Sequence, residues 1–224
     1  MQKKMTYGLA AVAGVMIVAI LYDILFKLGD EVSQGAVYRI MFFHIPAGIM
    51  GFIMYFVAMV ASIGFLITKR FNYDSMAVAA VEVGTMFCSL NLITGSIWGR
   101  EAWGIWWAWD ARMTSQLICF LLYAGYLILR PATEDPTQRA TFAAVLAIFS
   151  FADVPIVYFS IQWWRTQHPS PVLTTGGLGP GLRVPLYSML LAYIFLGIAL
   201  LLVRLQQESM SREIDSLRRQ AHAM

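Results

Sequence analysis

Charged residues are scarce in this chain of 224 residues. Only 13% of its residues are Asp, Glu, Lys or Arg, whereas 59% are hydrophobic, and the mean hydropathy is +0.65. A soluble protein needs more charge to cover its surface, so this composition excludes a soluble globular domain. A helix crosses a bilayer with about 20 apolar residues. The length therefore allows several membrane spans joined by short loops and leaves no room for a separate soluble catalytic domain.

The sequence has only two cysteines and no nucleotide-binding motif. The two cysteines, Cys88 and Cys119, fall inside apolar runs, and we expect them to be small buried packing residues. The glycine-rich run 174–181 lacks the lysine of a phosphate-binding loop and follows no strand, so the chain gives no sign of hydrolysing ATP. We predict that this run is an outer loop. The sequence also shows none of the paired, interrupted spans that indicate a secondary transporter.

Six apolar runs are long enough to cross a membrane, and charged or turn-forming residues separate them: 6–26, 40–68, 76–97, 114–130, 139–161 and 184–203. None shows the short alternating segments of a membrane barrel. The sequence therefore predicts an all-α fold, a polytopic membrane helical bundle with six transmembrane helices in one domain, 1–203. Residues 204–224 are predicted to form a polar cytoplasmic tail.

The distribution of positive charge predicts the orientation of the bundle. Ten of the 16 Lys and Arg residues fall on the side that carries both termini, and this excess indicates the cytoplasmic face. The first apolar run follows Lys3 and Lys4 and has no clear cleavage site, so we expect a retained helix rather than a signal peptide. The two long segments between spans, 98–115 and 162–183, then face outward.

All seven tryptophans lie in those two outer segments, at positions 98, 103, 106, 107, 109, 163 and 164. Simple anchoring would place some tryptophan at the other interface as well. If the first segment is helical from about residue 102, Trp103, Trp106, Trp107 and Asp110 share one face. We therefore predict a tryptophan-rich amphipathic outer loop, whose face would be a flat aromatic wall if it is helical, and such a wall suits a broad planar ligand. The alternative is an interfacial helix that buries its indoles among lipid headgroups and binds nothing.

Three histidines are present, and two of them fall on the predicted outer face. His44 lies near the outer end of the second span, and its alternative role is a hydrogen bond between helices or to backbone freed by Pro46. His168 lies in the second outer segment, where a solvated loop histidine is the alternative. We expect no function of His222, in the tail. Because two neutral imidazoles can bind one iron from opposite sides, the pair and the tryptophans together predict a haem site.

Other residues refine this hypothesis. The chain has no Cys-x-x-Cys-His motif, so the haem would be b-type and held without a covalent bond. Asp110 is expected to cap a helix or pair with an arginine. Glu82 and Asp153 lie within spans, and we expect structural roles, with a proton path as the alternative. Five arginines on the outer face are candidate partners for the haem propionates: Arg39, Arg100, Arg112, Arg165 and Arg183.

The tryptophan segment resembles a known signature. Trp98-Gly-x-x-x-Trp103-Gly-x-Trp106-Trp107-x-Trp109-Asp110-x-Arg112 is similar to the WWD motif of the haem-handling proteins of cytochrome c maturation. Together with six spans, the segments Arg39-Ile-Met-x-x-His44-x-Pro46 and Trp163-Trp164-x-Thr-x-His168 resemble the CcmC family. The similarity covers about Tyr38 to Val203.

This resemblance implies a function, a location and a set of partners. It implies a multi-pass protein of the bacterial inner membrane that holds haem on the periplasmic side and delivers it to the haem chaperone CcmE. The implied partners are the small subunit CcmD, the ATP-binding cassette subunits CcmA and CcmB, and membrane lipid, with no nucleic acid and no enzymatic reaction. His44 and His168 would be axial ligands. The implied haem contacts are Trp98, Trp103, Trp106, Trp107, Trp109, Asp110 and Arg112.

Two other functions remain open from the residues alone. The first is a b-haem electron-transfer membrane subunit, which would normally place histidine pairs within its spans. The second is an assembly subunit that its tryptophans merely anchor in the membrane.

Overall fold

The computed structural model describes residues 2–169, 173 and 176–222. Its α-helices are α1 (Gln2–Tyr22), α2 (Met41–Thr68), α3 (Phe71–Trp103), α4 (Ala111–Leu129), α5 (Pro136–Phe151), α6 (Asp153–Trp163) and α7 (Pro180–His222). A π-helical turn, Asp23–Lys27, extends α1, and a 3-10 helix, Ala36–Ile40, leads into α2.

The prediction of an all-α fold with six membrane-spanning helices is confirmed. Within the described residues no strand is present, and six helical stretches are long and apolar enough to cross a membrane. They are Lys3–Lys27, Ala36–Thr68, Phe71–Trp103, Ala111–Leu129, Pro136–Trp163 and Gly181–Arg218. Several are longer than the apolar runs, because the helices continue into polar sequence at their ends.

Helix boundaries follow local chemistry. The fifth span divides at Ala152 into α5 and α6, since Pro155 has no N–H to offer the Phe151 carbonyl and its ring crowds that group. The carboxylate of Asp135 accepts a hydrogen bond from the Gln138 N–H at 2.7 Å and caps α5. α3 ends at Gly104, whose φ of 77° lies in the left-handed region that glycine adopts at no steric cost.

The core of the bundle depends on close contact between α2 and α3. A Cβ atom at Gly84 would lie 2.8 Å from the Tyr55 ring, so only glycine lets the two helices approach this closely. The Tyr55 ring stacks flat on Tyr123 of α4, with 3.6 Å between ring centres. Cys88 and Cys119 are free and buried, as predicted.

Ion pairs fasten one end of the bundle, which we call the tail end because it carries the polar part of α7. Asp74 accepts hydrogen bonds from Arg130 at 2.7 Å and from Arg212. Glu82 pairs with Arg204, in line with the structural role expected of it. The opposite end, which we call the site end, holds residues 28–40, 98–112 and 164–169. The membrane face that each end occupies stays a prediction.

Three further expectations concern the tail, the run 174–181 and Asp153. The polar tail is not separated from the last span, because α7 runs without a break from Pro180 to His222. The expected outer loop at 174–181 lies partly outside the described residues, at Thr174 and Thr175. Asp153 Oδ2 is buried and has no hydrogen-bond partner in the described part of the chain, so the hydrogen bond to freed backbone or a tyrosine was not found there.

Candidate functional site

A cavity of about 210 Å³ lies at the site end. It includes six of the nine site residues predicted from the sequence, and Trp106, Trp109 and Asp110 are not among its lining residues. The walls are formed by Gln34, His44, Asn91, Leu92, Gly95, Trp98, Gly99, Ala102, Trp103, Trp107, Arg112, Met113, Gln116, Gln167, His168 and Pro169.

His44 stands in the first turns of α2 and faces α3. Its Nδ1 lies 3.2 Å from Thr94 Oγ1, while the Thr94 hydroxyl donates its single proton to the Leu90 carbonyl at 2.7 Å. Thr94 Oγ1 can therefore only accept a hydrogen bond from His44 Nδ1. This assigns the proton of a neutral ring to Nδ1. The lone pair is left on Nε2, the nitrogen that can bind a metal.

Asn91 and Gly95 shape the space around the His44 ring. The Asn91 amide donates to the His44 carbonyl at 2.9 Å and lies 3.3 Å from each ring nitrogen, so it favours neither of them. A Cβ atom at Gly95 would lie 2.8 Å from His44 Cε1. The His44 ring fits here because position 95 has no side chain. The interhelical hydrogen bonds considered for His44 are thus present, and with the proton on Nδ1 the Nε2 lone pair is the one that the Asn91 N–H can reach.

His168 reaches the same cavity from the segment after α6. Its Nδ1 lies 2.9 Å from the Pro169 carbonyl, which can only accept, so Nδ1 carries the proton here as well. Burial lowers the pKa of His168, and the positive charge of Arg112 lowers it further. The ring is therefore neutral at neutral pH, with the Nε2 lone pair available.

The structure brings the two predicted histidines together. Their ring centres lie 6.4 Å apart, with 34° between the ring planes. Trp98 meets His44 edge-on, with 5.8 Å between ring centres. The alternative of a solvated loop histidine at position 168 does not describe this arrangement, because His168 faces His44 across an aromatic cavity.

The helix from about residue 102, on which a shared aromatic face depended, is not formed. α3 ends at Trp103, residues 104–110 are not helical, and α4 begins at Ala111. Gly104 turns the chain out of the helix, the Arg100 side chain donates to the Gly104 carbonyl, and Ser96 donates to the Trp106 carbonyl at 2.8 Å. Side chains thus satisfy carbonyls that a continuous helix would have used.

As a result the tryptophans do not form one wall. Trp98 donates from Nε1 to Gln34 Oε1 at 2.7 Å, and the Trp103 ring packs on Gly99. Trp107 lines the cavity, whereas the side chains of Trp106 and Trp109 are exposed, at 59% and 77%. Among the described residues the buried Trp107 Nε1 has no hydrogen-bond partner.

Asp110 and the arginines have specific partners. Asp110 Oδ1 accepts from the Met113 N–H at 2.8 Å and caps α4, as expected. Arg112 lines the cavity, and its Nη1 donates to the Val157 carbonyl at 2.7 Å. Arg39 is engaged with Asp30 at 2.6 Å and with two backbone carbonyls. Of the five candidate arginines, Arg112 is the one that the structure places in the cavity wall.

Sequence reasoning missed four polar residues that line the cavity, Gln34, Asn91, Gln116 and Gln167, and it also missed Thr94, which lies 3.2 Å from His44. Asn91 and Thr94 are polar residues three positions apart in an apolar span. Polar side chains at such positions face the interior of a bundle, and this signal could have pointed to them. Within the described residues no group of three or more His, Cys, Asp or Glu is placed to hold a metal ion.

The fold and site define a six-span helical membrane protein with a pair of neutral histidines in a tryptophan-lined cavity. Residues 1–220 match the family described as Heme exporter protein C, CcmC, and the chain belongs to that family. The Heme exporter protein C of Bradyrhizobium diazoefficiens is 40% identical over 191 residues, which cover 84% of this chain and 73% of the relative.

Similarity of the same kind extends to more distant organisms. The Heme exporter protein C of Escherichia coli K12 is 34% identical over 178 residues, which cover 79% of this chain and 72% of the relative. A ccmC-like mitochondrial protein of Marchantia polymorpha, described as a cytochrome c biosynthesis protein, is 32% identical over 169 residues, covering 75% of this chain and 72% of the relative.

Proposed function

We propose that this chain binds haem at the site end, with His44 and His168 as axial ligands of the iron, and hands it on during cytochrome c maturation. The observation that carries the proposal is the pairing of two neutral imidazoles across one cavity, with 6.4 Å between ring centres. The family description, Heme exporter protein C, and the cytochrome c biosynthesis name of the Marchantia relative support the identity of the cargo and its destination.

The separation of the rings fits a shared iron atom. Two metal–nitrogen bonds of about 2 Å each, with the half-widths of two five-membered rings added, give roughly 6 Å between ring centres. In both histidines the bonded Nδ1 leaves Nε2 as the ligand atom. Haem iron takes its four other ligands from the porphyrin, so two protein ligands complete the set.

The size of the cavity favours a haem that stays partly exposed over one that the protein encloses. At about 210 Å³ it is smaller than the pockets of roughly 300–1,000 Å³ that enclose drug-sized ligands. A porphyrin seated between the histidines would thus be covered on part of its surface only. Trp106 and Trp109 are exposed beside the cavity and would cover or border the uncovered edge.

Polar groups in the cavity wall suit the carboxylates of haem. One nitrogen of Arg112 donates to the Val157 carbonyl, and the guanidinium retains further donors for a carboxylate. The buried Trp107 N–H, which has no partner in the described part of the chain, would cost about 1–3 kcal/mol if it stayed unsatisfied. An acceptor on the cargo would remove that cost.

The remaining roles follow from family membership as proposals. We place the site on the periplasmic side of the bacterial inner membrane and name CcmE as acceptor, with CcmD, CcmA and CcmB as partners in the exporter. The ten basic residues predicted for the tail end support this orientation. The chain performs no reaction of its own in this scheme, because binding and orientation of the cargo suffice.

Absorption spectra of histidine variants test the proposal. We expect the purified wild-type chain to carry a six-coordinate, low-spin haem, and His44→Ala and His168→Ala each to lose that spectrum and most of the bound haem. His222→Ala is the matched control, since His222 is the last residue of α7 at the tail end. Wild-type haem content and spectrum in both cavity variants would overturn the assignment and favour tryptophans that serve only as anchors.

A further inference from the structure

The carboxylate of Asp110 joins two elements of the site end. Its Oδ1 caps α4 by accepting from the Met113 N–H at 2.8 Å. Its Oδ2 accepts from the Thr166 hydroxyl and, at 3.3 Å, from the Gln167 N–H. One side chain therefore connects the start of α4 to the segment that carries His168.

Thr166 continues this connection to the histidine itself. A hydroxyl has one proton, and that of Thr166 is donated to Asp110. The oxygen still has a lone pair, which accepts the backbone N–H of His168 at 3.0 Å. The hydrogen bonds thus run without a gap from the α4 terminus to the backbone of His168.

Neither Asp110 nor Thr166 is among the residues that line the cavity. We propose that the two form a positioning pair that fixes the backbone of His168, so that its ring meets the cargo opposite His44. This inference rests on the proposed haem function and assigns Asp110 a role other than the direct haem contact expected from the sequence. The Pro169 carbonyl determines which nitrogen of the His168 ring carries the proton, whereas the positioning pair determines the position of the ring.

The magnitude of the effect follows from the behaviour of other metal sites. Loss of a partner that orients a metal ligand typically costs about 10–100-fold in affinity. His168 stands on a segment outside a regular helix, so no i to i−4 hydrogen bonds hold its backbone in place of the positioning pair. We therefore expect an effect in this range.

Thr166→Val tests the pair, because valine has nearly the shape of threonine but no hydroxyl. We expect the haem-loaded variant to release haem about tenfold faster and to contain a high-spin fraction that the wild type lacks. Thr166→Ser, which keeps the hydroxyl, should restore the low-spin spectrum. The matched control is Thr133→Val, which removes a loop hydroxyl bonded to the Leu129 carbonyl at the tail end. Wild-type spin state and release in Thr166→Val would overturn the proposal.

Asp110→Asn provides a second test that does not depend on the first variant. Asparagine caps helices as well as aspartate does, so α4 keeps its start. The amide nitrogen that replaces Oδ2 cannot accept from Thr166 or Gln167 and can meet the Thr166 hydroxyl only as a donor, so the charge-assisted hydrogen bond is lost, and we expect a rise in haem release no larger than that of Thr166→Val. In the double variant Asp110→Asn/Thr166→Val the two effects should be less than additive, since both remove one connection. Full additivity of the two effects on haem release would contradict the proposal that Asp110 and Thr166 act as one pair.

These outcomes are separable from failure of the proposed function. If the wild type binds haem in a way that depends on His44 and His168, while Thr166→Val and Asp110→Asn behave as wild type, only the positioning pair is refuted. If wild-type haem binding is itself independent of both histidines, the proposed function fails.

Discussion

Gly95 of α3 faces the ring of His44, and an alanine at this position is expected to displace the ring. The added Cβ would lie 2.8 Å from His44 Cε1, whereas non-bonded carbon atoms prefer about 3.5–4.0 Å. The ring must therefore move by roughly 1 Å, unless the helices separate. Thr94 lies 3.2 Å from the ring and Asn91 lies 3.3 Å from it, and a shift of this size breaks their hydrogen bonds.

Gly95→Ala should weaken haem binding more than it destabilises the fold. Overpacking of a buried position typically destabilises a protein by about 1–3 kcal/mol, which leaves most of the chain folded. A ligand displaced by about 1 Å loses its alignment with the iron, and the lost support of the ring adds to this; together we expect a 10–100-fold loss of haem affinity.

Haem titration of purified protein, followed by the absorption spectrum, measures this loss, and thermal unfolding reports the fold. Gly125→Ala is the matched control, because a Cβ at that position in α4 meets nothing within 4 Å. We expect this control to bind haem as the wild type does. Wild-type affinity and a low-spin spectrum in Gly95→Ala would refute the placement of His44 beside Gly95 as a ligand.

Two further predictions concern charge. Because burial and Arg112 lower the pKa of His168, we expect its imidazole in the haem-free protein to titrate below the ordinary histidine pKa of about 6.5 when followed by NMR, and titration at that ordinary value would contradict this. The same shift makes the haem-free fold less stable as the pH falls below about 6.5, since the unfolded chain takes up the proton first. At the tail end, Asp74→Ala leaves Arg130 and Arg212 without their shared carboxylate and should destabilise the chain by about 3–5 kcal/mol in denaturant unfolding, and an unchanged midpoint would show that the ion pairs contribute little.

Most of the fold could be predicted because the membrane restricts the choices. With no water to satisfy backbone groups, an apolar run of about 20 residues must be helical, and six such runs define the bundle. The helix ends were harder to predict. An apolar run ends at the first charged residue, whereas the backbone hydrogen bonds of the helix can continue past it. The last helix shows this: it continues from the apolar run through Arg204 and Arg212, both of which pair with carboxylates of α3.

The candidate site was predictable at residues whose own side chains can bind a metal. His44 and His168 were identified because two of three histidines fall on one face of the bundle, and the structure brings their rings together. Asn91 and Thr94 were not identified, since neither is a usual ligand of haem iron and both reach the site only through contacts to His44. Such contacts depend on how α2 packs against α3, and a hydropathy pattern does not contain that information.

The tryptophan segment shows why spacing alone gave the wrong geometry. Positions 103, 106, 107 and 110 share a face only if the chain stays helical, and Gly104 at φ 77° ends the helix before the second of them. From there Trp107 turns into the cavity, while Trp106 and Trp109 remain exposed. The indoles thus divide into a group that lines the cavity and a group that is exposed. A continuous helix would have put Trp103, Trp106 and Trp107 on one face, whereas the turn at Gly104 separates Trp106 from the two that line the cavity, so the proposed site has indoles both inside the cavity and on the surface.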